Sequence, residues 1–171
     1  RERPLVAWPQ PNRSPLTSVA VAPGSGASLL TSGSGLAVGL DGTALHYDAR
    51  TGWLVDPVPP RASRVNLFGV AYTSSTTAIA VGQFGVILRW NGTTWTEDPQ
   101  SISLTQSQLN AVAASPSGEA WAVGTFGTIL HFDGSSWKVE LPPAEDSGVN
   151  ITSVAVAGSD VFAVAAGNLL A

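Results

Sequence analysis

The chain has 171 residues, 44% hydrophobic and only 12% charged, which suits one domain and excludes a disordered segment. Its net charge of −4, with eight scattered basic residues, gives no electrostatic reason to approach a phosphate backbone, so no nucleic-acid partner is expected. The lack of cysteine excludes disulfides and thiolate chemistry, and no apolar run approaches the ~18 residues of a membrane-spanning helix. Methionine is also absent, so a chain beginning at Arg1 is expected to be processed or to be a segment of a longer one.

Arg1 to Pro11 contains Leu5-Val6-Ala7-Trp8-Pro9-Gln10-Pro11, which fits over Trp53-Leu54-Val55-Asp56-Pro57-Val58-Pro59 and reads as an outer strand without its neighbours. From there the chain repeats. The first predicted strand of each unit is Ser18 to Ala22, Gly69 to Tyr72, Ala111 to Ala114 and Ser153 to Val156. Its small residues suit an innermost position near a crowded axis. The first unit carries extra Gly- and Ser-rich sequence from Pro23 to Ser34, which predicts an extended loop.

The second strand carries Leu36, Ile79, Trp121 or Phe162, continues through Ala-Val, and ends at Gly39, Gly82 or Gly124, with Ala165 in the last copy. Those glycines recur at steps of 43 and 42 residues. Each opens a GxxG hairpin, where glycine is expected to supply a positive φ. Leu45, Leu88 and Leu130 share one position on the third strand, followed by the turn dipeptides Asn91-Gly92 and Asp133-Gly134. Trp53, Trp95 and Trp137 open the fourth strand, which stops at proline.

Four short antiparallel strands per unit of about 42 residues are the pattern of β-propeller blades. The predicted fold is all-β, a single β-propeller domain or propeller segment over 1–171. Its four blades lie at about 12–59, 60–101, 102–143 and 144–171, the last completed by the strand in 1–11. A closed four-bladed ring, a segment of a longer propeller and one half of a two-chain ring all fit this count.

The motifs AlaValGly, GlyThrIleLeuHis and AspGlySerSerTrp resemble the tryptophan-rich propeller repeats of secreted bacterial proteins. They are also similar to the repeats of photosystem II assembly factor and bacterial neuraminidase propellers. The box Asp133-Gly134-Ser135-Ser136-Trp137 is one residue shorter than the neuraminidase DxGxTW pattern. The resemblance implies a noncatalytic protein-interaction scaffold, without cofactor, in an exported bacterial assembly: extracellular, cell-surface or periplasmic. Its partners would be another protein or sister subunits.

Phe84 and Phe126 stand at the tips of GxxG hairpins, where Asp41 stands in the first unit. These tips share a face with the crossovers Pro57 to Val65, Pro99 to Gln108 and Pro142 to Val149. Aromatics on loops of a rigid scaffold mark contacts, so Phe84, Phe126 and Asp41 are the candidate partner-binding residues. The plain alternative is packing on an adjacent crossover. Gly39, Gly82, Gly124, Trp53, Trp95 and Trp137 are assigned to the structural repeat, with the tryptophans stapling outer strands.

A carbohydrate-binding propeller would instead use those tryptophans as sugar platforms. A propeller hydrolase would need blades this chain does not supply, since no catalytic or metal residue is expected here. His46, Arg89 and His131 share one third-strand position, which favours packing and hydrogen bonding over metal ligation. Asp56, Glu97, Asp98, Glu140, Glu145 and Asp146 read as solvated rim charges. The sequons at Asn12, Asn91 and Asn150 are short patterns with no functional weight.

Overall fold

The computed structural model describes residues 14–24, 34–142 and 148–165, with the backbone of a further strand at 168–170. The expected strand in 1–11, the sequon at Asn12, most of the 23–34 loop, Glu145 and Asp146 lie outside the described residues.

The first blade comprises β1 (Leu16–Val21), β2 (Gly35–Gly39), β3 (Ala44–Asp48) and β4 (Gly52–Val55). The second comprises β5 (Leu67–Tyr72), β6 (Ala78–Gly82), β7 (Ile87–Trp90) and β8 (Trp95–Glu97). The short helix α1 (Ser101–Leu104) leads to β9 (Leu109–Ala114), β10 (Ala120–Gly124), β11 (Ile129–Phe132) and β12 (Trp137–Glu140). The fourth blade shows β13 (Ile151–Ala157), β14 (Asp160–Ala165) and β15 (Asn168–Leu170). Each sheet is an antiparallel meander in sequence order. The inner strands then pack side by side, β1 on β5, β5 on β9 and β9 on β13. This is the β-propeller architecture.

The core lies between blades. Leu36 and Val38 of blade one pack in one cluster with Val70, Tyr72, Leu88 and Trp90 of blade two. Ile79 and Val81 of blade two pack with Leu109, Leu130, Phe132 and Trp137 of blade three. A smaller cluster joins Val123 to Ile151, Ala163 and Ala165. A sheet covered on both faces needs apolar side chains in both directions, and β2 and β6 are accordingly buried along their whole length.

The first glycine of each hairpin does not supply the expected positive φ. Gly82 and Gly124 are extended, at φ −165° and −164°. Glycine is required there by close approach: an added Cβ would lie 2.3 Å from the Asn66 carbonyl oxygen at Gly82 and 1.9 Å from that of Gln108 at Gly124. The left-handed positions are the next-but-one residue and the second glycine: Asp41 and Gly42, Phe84 and Gly85, Phe126 and Gly127. With Thr43 N–H donating to Leu40 O, Val86 to Gln83 and Thr128 to Thr125, these are type I′ turns.

Asn91 and Asp133 also act otherwise than a two-residue Asn-Gly or Asp-Gly turn implies. Neither backbone is left-handed; each side-chain oxygen instead accepts the N–H groups two and three residues on. Asp48 does the same in blade one.

Candidate functional site

The hairpin tips are pinned from the neighbouring crossovers. Arg61, from the crossover between blades one and two, donates through Nη2 to the Phe84 carbonyl at 2.8 Å and through Nη1 to Glu97 and Ser101. In blade one, Asp41 Oδ2 accepts from Ser14 Oγ at 3.1 Å, and its N–H donates to Asn66 Oδ1 at 3.1 Å. Gly127 N–H donates to Val149 O at 2.7 Å, tying the third tip to the last crossover.

Held this way, Phe84 and Phe126 project outward, with 60% and 78% of their surface exposed. Packing on a crossover would have buried them. Phe126 borders a groove of about 250 Å³ with Leu104, Val139, Leu141 and Pro142. Val139 and Leu141 are themselves exposed. A wide apolar strip therefore lies beside the third tip. Asp41 shares the backbone geometry but offers a carboxylate already engaged by Ser14.

The repeated tryptophans have another setting. Trp95 and Trp137 are buried, so neither presents a free face to a sugar, while the half-buried Trp53 makes an edge contact with Tyr47. His46 stacks on Trp90 and His131 on Trp121, and Arg89 lies 4.8 Å over the Phe132 ring. The shared third-strand position is thus occupied by side chains that pack and hydrogen-bond.

Two of the supposed rim charges are buried. Asp98 accepts from Arg89 Nε within its own blade and from Trp137 Nε1 of the next at 3.0 Å. It also accepts the Gln100 N–H at 2.8 Å. Asp56 has the same place one blade earlier, pairing with His46 Nδ1 at 2.7 Å. Burial raises its pKa, opposed by His46 and then by Trp95. Yet Asp56 Oδ2 and Trp95 Nε1 close no hydrogen bond, so the first seam carries an incomplete version of the clasp. In blade three the same register position is Glu140, which stays exposed, and His131 has only the looser company of Glu119 and Glu140 at 3.5 and 3.8 Å.

This seam device was missed because one acidic residue before proline looks like a rim charge. The usable signal was its recurrence: Asp56-Pro57 and Asp98-Pro99 repeat with the blade, each following a His or Arg and preceding the next blade's tryptophan. Outside the seams, Asp133 and Asp48 have lowered pKa values. For Asp133 the leading cause is the Ser136 N–H, and for Asp48 the Thr51 hydroxyl. A groove of about 490 Å³ between blades two and three opens at the opposite end of the strands, bordered by Thr73, Thr77, Arg89 and Phe132. Among the described residues no group of three or more His, Cys, Asp or Glu could hold a metal ion.

Fold and site together define a propeller arc whose repeated hairpins carry exposed aromatics. Known structures of this shape include YCF48, a photosystem II assembly factor, solved bound to D1 peptide: 16% identical, TM-score 0.64, covering 91% of this chain and 49% of that one. Virginiamycin B lyase from Staphylococcus aureus, in an inactive form with quinupristin, is 14% identical with TM-score 0.69, covering 92% and 50%. The computationally designed Ika4 protein is 18% identical with TM-score 0.66, covering 92% and 90%. The chain thus spans about half the length of the YCF48 and lyase chains it matches. No family model matches it, and neither does any curated protein.

Proposed function

We propose that the chain is a noncatalytic scaffold of an exported or surface-exposed bacterial assembly, whose hairpin-tip face takes an apolar segment of a protein partner. The observation that carries this is the state of Phe84 and Phe126. Each occupies left-handed backbone, at φ 56° and 59°, where an L side chain costs about 1–2 kcal/mol, and each leaves most of its ring in water. Folding gains nothing evident from a phenylalanine there, since Asp41 serves the same turn in blade one. A rigid, pre-positioned aromatic beside an apolar groove suits binding at low entropic cost.

YCF48, of similar fold, binds a D1 peptide, which supports a peptide as the class of partner. The exported setting is supported by the likeness of the repeats to those of secreted bacterial propellers. The test is to pan a phage-displayed peptide library on the chain and measure the selected peptides against the Phe84→Ser, Phe126→Ser double variant. With the far-UV spectrum unchanged, their affinity is expected to fall at least about tenfold, or about 1.4 kcal/mol. Peptides that bind the double variant as tightly as the parent chain would refute the proposal.

A further inference from the structure

The outer strand of a blade is paired on one side only, and the register decides which of its backbone groups face out. In β12 the Trp137 N–H points away from β11: it donates to Gln100 Oε1 at 2.9 Å, while the Trp137 carbonyl accepts from Gln100 Nε2 at 3.4 Å. Groups two residues apart on a strand face the same way, so the N–H and carbonyl of Val139 also point out of the sheet edge. Blade two shows the same alternation, since Asp98, in register with Glu140, turns its N–H inward to Ile87 O at 2.9 Å. Among the described residues no group bonds the outward N–H or carbonyl of Val139. Gln100 thus does at Trp137 what the peptide group of an added strand would do, and leaves the edge open one step further on.

Blade two covers the equivalent place with its own side chains. Glu97 stands opposite Leu88 as Val139 stands opposite Leu130. Glu97 accepts from Arg61 and Ser101, and Arg61 also holds the Phe84 carbonyl, so the blade-two tip and outer strand are strapped together. In blade three the counterpart of Arg61 is Ser103, whose hydroxyl bonds back to the Gln100 carbonyl at 2.8 Å. Val139 and Leu141 are left exposed, and with Leu104 and Phe126 they border the groove of about 250 Å³.

We propose that the partner's segment binds as an added strand on the open edge of β12, exchanging main-chain hydrogen bonds with Val139 and laying alternate apolar side chains into the groove beside Phe126. This rests on the peptide-binding reading of the tip face and specifies how the segment is held. Backbone pairing supplies affinity, and the groove selects the side chains. An added strand sets its residues alternately on the two faces of the sheet, apolar ones beside Val139 and Leu104, polar ones on the face of Lys138 and Glu140. The occupant is therefore an extended stretch in which apolar and polar residues alternate, with no proline at the pairing position. Its pairing stops at Trp137, where Gln100 already holds both outward groups.

Peptides selected by panning on the chain serve as probes, each resynthesised with single backbone N-methyl groups along its length. Affinity is expected to fall at least about tenfold on methylation at one position, or at positions two apart, and to change little at the intervening ones. Bound peptide should slow amide exchange at Val139 at least about tenfold, while leaving the outward amide of Glu97 unchanged. Val139→Pro removes the donor at an edge position that tolerates proline and should abolish binding, whereas Val139→Ile should bind as the parent does. The two measurements on the parent chain hold whether or not the proline variant folds. Peptides that depend on Phe84 and Phe126, yet tolerate N-methylation everywhere or leave Val139 exchange unchanged, would overturn strand addition and leave the tip-face reading standing. Selected peptides indifferent to the Phe84→Ser, Phe126→Ser change, or a library that yields none, would sink that reading and this one with it.

Discussion

Phe126 sits in a backbone conformation that suits asparagine, aspartate or glycine, and blade one fills the same turn position with Asp41. Changing Phe126 to asparagine relieves the steric cost of a β-carbon bearing a large ring at φ 59° and removes an exposed apolar surface. The Phe126→Asn chain is therefore expected to be more stable by about 1 kcal/mol, read as a higher urea midpoint at unchanged slope. The same change should weaken peptides selected on the parent chain. A gain in stability coupled to a loss of binding is what separates a residue kept for contact from one kept for packing. An unchanged or lower midpoint would mean that Phe126 makes stabilising contacts in the native chain.

Between elements, the seams differ in polar content. At the second seam Asp98 satisfies Arg89, Trp137 and the Gln100 N–H together, so Asp98→Ala leaves a buried indole donor and a cation without partners. Its cost is expected to be about 3 kcal/mol, toward the lower end for breaking a buried pair because Arg89 can turn to water. Asp56→Ala should cost less. Burial disfavours the charged form of Asp56, and one of its oxygens is unsatisfied in the native chain. Paired urea melts in which Asp56→Ala is the more damaging change would contradict this ranking. Strands, turns and inner-strand positions were legible in the sequence because each depends on local pattern: alternation, small residues, glycine at fixed offsets. The clasps were not, since whether Asp98 meets water or Trp137 depends on how blade three is stacked on blade two. The glycine at Gly124 was located correctly but given the wrong cause, because sequence shows where glycine is needed without showing that the Gln108 carbonyl lies over it. Phe84 and Phe126 stood out in the sequence as aromatics at tips; their left-handed backbone, which makes the choice costly, came only with the structure.

Across the whole molecule, stability is distributed by how many faces of a blade are covered. Blades two and three are packed on both sides, whereas blade one offers Val19 and blade four offers Phe162 to solvent. The third seam is also the poorest, with the clasp-position Glu140 exposed, leaving Asn110 to bridge to the Ile151 carbonyl at 2.7 Å. Neighbour-coupled repeats open where neighbours are fewest. In dilute solution the amides paired between β13 and β14 are thus expected to exchange first, those between β1 and β2 next, and those of blades two and three last. Exchange that is uniform over the four blades would show that the number of covered faces does not set local stability here.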